Sequence, residues 1–120
     1  MPARKCLVVD DEDDVRLFLQ DFLLERDLEV DSAADGEECM QKVQSFKPDI
    51  VLLDVMMPGM DGLQCLEKIK KMAPQTTVIM LTALKDQEKI DRAKKLGAYN
   101  YIIKPFSLQY LEEELSKLLA

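Results

Sequence analysis

Asp10, Asp11, Asp54, Thr82 and Lys104 are the residues whose types could do chemistry together. Each stands where a short apolar run stops: "LVV" before Asp10 and Asp11, "IVLL" before Asp54, "VIML" before Thr82 and "YII" before Lys104. Three carboxylates gathered in one pocket repel one another, and burying any of them unpaired is costly. A hard divalent cation with oxygen ligands removes that cost. Mg²⁺ suits a few carboxylates completed by water and phosphate oxygens, with Mn²⁺ as a substitute. A lysine brings a mobile point charge suited to a phosphate oxygen, and a threonine brings a hydroxyl donor. Acids, a metal, an amine and a hydroxyl make a site for phosphoryl chemistry. The chain has no histidine, and no cysteine or serine stands at these run ends. The nucleophile is therefore a carboxylate, which would form an aspartyl phosphate.

Taken singly, each residue has a plainer reading. Acids ahead of a helix complement its dipole, and that reading suffices for Glu12, Asp13 and Asp14 in "DDEDD". A lone threonine is commonly structural and a lone lysine commonly lies on the surface. Asp54 resists a plain reading because it ends the most apolar run of the chain, where a bare carboxylate is expensive.

The set does chemistry only if the fold brings it together. Short apolar runs alternate with segments of helical period. Residues 6–9, 28–33, 49–54, 77–82 and 99–104 read as strands, and about 14–26, 36–46, 62–72, 86–96 and 107–119 as helices. All the strand runs except the second are nearly continuous apolar, the mark of strands covered on both faces. Strict β-α alternation predicts an α/β fold with a parallel sheet and helices on both sides. In such sheets ligands bind beyond the carboxyl ends of the strands, where the five chemical residues fall. Asp31 and Ser32, at the end of the second run, have no comparable role. Asp35-Gly36, Pro58-Gly59 and Asp61-Gly62 mark turns, Gly97 a helix C-cap and Ser107 a helix N-cap.

At ~100° per residue, Val15, Phe18, Leu19, Phe22 and Leu23 share one face of the first helix and are expected in the core. Leu17 and Leu24 fall opposite, as scattered exposure or as a patch for a partner. The three cysteines, Cys6, Cys39 and Cys65, include no C-x-x-C pair and read as reduced, mostly buried thiols. With 120 residues, the chain is expected to be one domain over 1–120. It has no apolar run of membrane-spanning length and no signal peptide, so a soluble, cytoplasmic protein is expected, without a membrane partner. A net charge of −7 argues against direct nucleic-acid binding by this chain.

The blocks "VVDDE", "DIVLLDVMMPGMDG", "VIMLTA" and "GAYNYIIKPF" now identify a likeness. In order and spacing the sequence resembles the receiver (CheY-like) domain of bacterial two-component response regulators over essentially its whole length. The resemblance implies a (βα)5 flavodoxin-like fold, a doubly wound three-layer sandwich with strand order 2-1-3-4-5. It implies that Asp54 is the phosphoacceptor, and that Asp10, Asp11, Asp54 and the backbone carbonyl of Met56 hold Mg²⁺. Thr82 would hydrogen-bond a phosphoryl oxygen, Lys104 would pair with the phosphoryl group, and the Lys104–Pro105 peptide bond would be cis. Thr82 and Tyr101 would form the switch.

The family's activity follows as expectation. A sensor histidine kinase or histidine phosphotransfer protein donates a phosphoryl group, and the fourth helix, fifth strand and fifth helix signal to an output domain or downstream protein. A phosphorylation-dependent dimer is one such output. The domain assists its own phosphorylation and dephosphorylation without being an enzyme in its own right. Met56 and Leu84, two residues beyond Asp54 and Thr82, are both apolar, which predicts a long-lived phosphoryl group. A flavodoxin-like FMN protein would need a hydroxyl- and glycine-rich loop where this chain has five acids, Asp10–Asp14. A haloacid-dehalogenase-type phosphatase needs a second aspartate where Met56 stands. A degenerate receiver that serves only as a protein-protein interaction module is the alternative of another class. Whether the domain stands alone or belongs to a longer regulator is open.

Overall fold

The computed structural model describes residues 4–119. Five strands and five helices alternate: β1 (Lys5–Val9), α1 (Asp13–Leu24), β2 (Glu29–Ala33), α2 (Gly36–Ser45), β3 (Ile50–Leu53), α3 (Gly62–Met72), β4 (Thr77–Thr82), α4 (Gln87–Lys95), β5 (Asn100–Ile103) and α5 (Leu108–Leu119). All strand pairs are parallel, in the order β2-β1-β3-β4-β5. This is the expected CheY-like, flavodoxin-like arrangement. No helix among the described residues is long and apolar enough to cross a membrane.

The apolar strands feed two cores. Successive side chains point to opposite faces of a sheet, so Leu7, Val9, Val51, Leu53, Val78 and Met80 pack with α2, α3 and α4. Their neighbours Cys6, Val8, Ile50, Leu52, Ile79 and Leu81 pack with α1 and α5 on the other side. That double burial is why the central runs show no alternation. β2 lies at the sheet edge and is only partly buried, which explains its more polar sequence.

Local signals set the helix ends. The Asp35 side chain accepts the Glu38 N–H at 2.9 Å, and Asp61 and Gln64 form a reciprocal capping box. Ser107 accepts the Tyr110 N–H at 3.0 Å ahead of α5. At the end of α4, Gly97 takes φ +102° while the N–H groups of Gly97 and Ala98 return to the carbonyls of Lys94 and Ala93. That is a Schellman closure, which favours a residue without Cβ. α1 ends at Leu24, two residues before the predicted end, because the chain turns through Asp27 at φ 60°.

One expected core residue is misplaced by the pattern. Leu19, Phe22 and Leu23 are buried and Val15 partly so, but Phe18 is 52% exposed. It lies at the margin of the apolar stripe and faces the β5–α5 connection, lining an open groove with Leu19, Phe106 and Leu108. Leu17 and Leu24 are exposed, as their position on the helix predicts.

Candidate functional site

Parallel pairing carries the chemical residues to one edge. Just past the strands, the N–H of Asp10 bonds the Ala33 carbonyl at 3.2 Å and that of Asp54 the Val9 carbonyl at 3.0 Å. The N–H of Lys104 bonds the Thr82 carbonyl at 2.8 Å. Asp10, Asp54 and Thr82 are buried, whereas Asp11 is exposed at the rim.

The two buried acids are held alike. Asp10 Oδ1 accepts the N–H of Glu12 at 2.9 Å, and Asp54 Oδ1 accepts that of Met56 at 3.1 Å. Each carboxylate therefore spends one oxygen on the loop that follows it and turns the other toward Lys104. The Lys104 Nζ donates to Asp10 Oδ2 at 2.8 Å and stands 3.7 Å from Asp54 Oδ2. The Lys104–Pro105 peptide bond is cis.

Electrostatics follow from burial and neighbours. Burial pushes the Asp54 carboxyl above the usual carboxylate range, and the Asp10 charge adds to this. The Thr82 hydroxyl, the Met56 N–H and the Lys104 ammonium pull the other way without reversing it. For Lys104, burial favours the neutral amine, but the hydrogen bond and charge of Asp10, then Asp54 and Glu12, lift its pKa above the ordinary value. The lysine stays charged between the acids.

Carboxylate oxygens of Asp10, Asp11 and Glu12 lie within 4.8 Å of one another. This all-oxygen donor set fits a hard divalent cation such as Mg²⁺. Two features differ from the sequence reading. Glu12, read only as a helix-dipole acid, joins this group. Asp54 is not one of the trio; its Oδ2 stands 3.7 Å from the Lys104 ammonium that donates to Asp10.

Two backbone features carry no sequence signal of their own. A Cβ on Gly62 would stand 2.1 Å from the Asp54 carbonyl oxygen, so only glycine lets α3 begin against the end of β3. Leu84 uses its main chain on both sides: its N–H donates to Thr82 Oγ1 at 3.2 Å, and its carbonyl accepts the Tyr101 hydroxyl at 2.7 Å. Thr82 and Tyr101 are thus joined through one peptide segment of the β4–α4 loop.

Known proteins are similar to this chain in sequence and fold. The family model described as "Response regulator receiver domain" matches residues 6–116. The chemotaxis protein CheY of Thermotoga maritima is 34% identical over 116 residues, covering 96% of this chain and 97% of its own. A CheY-like receiver domain protein from Methanospirillum hungatei superposes with a TM-score of 0.95 at 29% identity, over 98% of this chain and 94% of that one. CheY in a CheX-CheY-BeF₃-Mg²⁺ complex from Borrelia burgdorferi superposes with a TM-score of 0.88 at 29% identity, over 98% and 90%. The match covers nearly the whole chain and both ends of the sheet edge on which the acids, threonine and lysine meet, so this protein belongs to the response regulator receiver family.

Proposed function

We propose that residues 1–120 act as one receiver unit that takes a phosphoryl group onto Asp54 from the phosphohistidine of a sensor histidine kinase or a phosphotransfer protein. The observation that carries this reading is a buried carboxylate at the end of β3, faced by a charged lysine and a threonine hydroxyl. In the transfer, an Asp54 oxygen forms the new O–P bond while the N–P bond of the donor breaks. The imidazole nitrogen leaves with the electron pair. Lys104 offers positive charge to the phosphoryl oxygens. Thr82 accepts the Leu84 N–H and turns its own O–H toward the Asp54 carboxylate, from where it can donate to one of them.

Mg²⁺, or Mn²⁺ in its place, would be held by Asp10, Asp11, Asp54 and the Met56 backbone carbonyl. When bound, it neutralises charge spread over the equatorial phosphoryl oxygens. That the Borrelia CheY complex contains Mg²⁺ supports the choice of cation. Because the receiver supplies most of this machinery, small phosphodonors such as acetyl phosphate should also serve, more slowly.

Readout runs through Leu84. A threonine drawn toward a phosphoryl oxygen pulls on the segment that holds the Tyr101 hydroxyl. The α4-β5-α5 face then presents a different surface to an output domain, a downstream protein or a second receiver. Beside the acceptor, Val55, Met56, Met57, Pro58, Leu84 and Lys89 line a shallow groove. The side chains two residues beyond Asp54 and Thr82 offer no hydrogen-bonding group to orient an attacking water, so the phosphoryl group is long-lived.

Intact mass after incubation with acetyl phosphate and Mg²⁺ tests the reading. Wild type gains one phosphoryl group only with the cation present, and Asp54→Ala gains none. Equal gain in the variant would move the acceptor elsewhere. No gain from acetyl phosphate or from any phosphorylated histidine donor would leave the interaction module.

A further inference from the structure

Charge is spread unevenly along this chain. From Gly62 to Gly97, through α3, β4 and α4, eight lysines and arginines stand against four acids, a surplus of +4. The whole chain carries −7, so the remainder carries −11. Among the described residues, every ion pair lies in that acidic remainder, and none engages a lysine or arginine of α3 or α4. The basic stretch is left without internal partners.

Helix geometry brings part of this surplus to one groove. The side of α3 that bears Lys70 faces the end of α4, since a Cβ on Gly97 would stand 3.4 Å from Lys70 Cε. Glu67, three residues earlier, is the acid of that wall, and Lys71 follows, exposed at its rim. On α4, Lys89 faces the β3–α3 loop across the groove that Met57, Pro58 and Asp61 line. Arg92, three residues on, is exposed along the same side. Asp61 is already engaged, accepting the Gln64 N–H at 2.9 Å. The floor at this mouth is apolar, built from Val55, Met56, Met57 and Leu84. Met56 is 55% exposed, and methionine packs adaptably against varied partners. An apolar floor thus runs into a cationic rim.

We propose that the α3–α4 groove docks an acidic protein segment carrying large apolar side chains. Its apolar residues seat on Met56, Met57 and Leu84, and its carboxylates meet Lys89, Arg92 and Lys71. A nucleic acid would supply the anions but not the apolar anchors. Its extended phosphate backbone would also run toward the acids Asp10–Asp14, which share this edge of the sheet. A short segment meets the groove alone, because exposed charges beyond ~8 Å are largely screened at physiological salt. The groove lies on the α3 side of α4, away from β5 and α5. The unphosphorylated chain already presents it, so docking requires no transfer to Asp54.

The full chain, isotope-labelled, is titrated with a short synthetic peptide of glutamate, leucine and phenylalanine while its amide signals are followed by NMR. Shifts should gather on Met56, Met57, Leu84, Lys89 and Arg92 and spare Phe18 and Tyr110. Lys89→Glu combined with Arg92→Glu should weaken binding by about tenfold, because like charges then face the carboxylates. Lys47→Glu, a charge reversal on the α2–β3 connection, should leave the affinity unchanged. A peptide with lysine in place of glutamate, and an all-glutamate peptide without apolar residues, should shift nothing. Wild-type spectra therefore decide the matter whether or not the double variant folds. Absence of shifts with the first peptide, shifts gathered elsewhere, or equal binding of either counterpart would overturn the proposal. So would tighter binding of a single-stranded oligonucleotide, or shifts at these residues that grow with protein concentration alone, which would make a second copy the occupant.

Discussion

The structure holds two acid–lysine pairs of nearly equal length. Lys104 reaches Asp10 at 2.8 Å and Lys42 reaches Asp31 at 2.9 Å. The Asp10 side chain is 3% exposed and that of Asp31 is 40%. Lys42 also meets Glu38 at 3.7 Å and the Ser32 carbonyl, so its charge is absorbed on the surface of one edge strand and one helix. Lys104 is shared instead between two buried carboxylates from different strands, the second of which keeps an oxygen 3.7 Å away. Distance therefore does not distinguish a site from a surface contact. Burial, and an acid left incompletely neutralised, do.

The contrast breaks first at the acids. Asp54→Ala should abolish the phosphoryl gain from acetyl phosphate, read by intact mass, whereas Asp31→Ala should leave it intact. The lysines come next. Lys104→Ala should slow phosphorylation by about 10²-fold, the scale expected for one electrostatic donor at a reacting oxygen. Lys42→Ala should leave that rate unchanged and alter stability by about 0.5 kcal/mol or less, as for a partly exposed ion pair. Equal slowing in both would show that net charge, not placement, governs the reaction.

Cation binding sharpens the same point. Mg²⁺ should raise the thermal midpoint of the wild type, since a ligand that binds only the folded state stabilises it. Asp11→Ala should remove most of that rise and Asp31→Ala none. Within the acidic site, Met56→Asn combined with Leu84→Glu should shorten the phosphoryl lifetime several-fold, measured as loss of the phosphoprotein mass with time. An unchanged decay would mean that water is positioned by other groups.

Much of this was legible in the residues. The near-continuous apolar runs of β1, β3 and β4 announced strands buried on both faces, and the polar residue closing each run marked the functional edge. Depth was less legible. Periodicity gave the direction of Phe18 but not that its side of α1 overlooks an open groove. The sharing of Lys104 between Asp10 and Asp54, and the approach of Glu12 to Asp10 and Asp11, are distances between side chains, which spacing along the chain does not encode. The Leu84 link to Thr82 and Tyr101 uses main-chain groups that every residue type carries. The clearance at Gly62 read only as a turn.

The smallest effect asks whether Asp54 is held at a cost. Its carboxyl is raised above the ordinary value of 3.8, mainly by burial, so the folded protein holds that proton more tightly than the unfolded chain does. Between the ordinary and the raised value the folded state binds more protons, and stability falls as pH climbs through that window. Above it, the ionised Asp54 detracts from stability. Asp54→Asn should therefore raise the thermal midpoint by a few degrees near neutral pH, in chelator and without phosphodonor. That gain should shrink steadily as pH falls through the window above the ordinary value, where the wild-type carboxyl takes up its proton. Asp31→Asn, on the exposed pair, should show no such gain. A gain for Asp54→Asn that stays flat with pH would mean that the amide merely packs better. A loss would mean that Lys104, Thr82 and the Met56 N–H outweigh burial, and the two acid–lysine pairs would then differ in exposure alone.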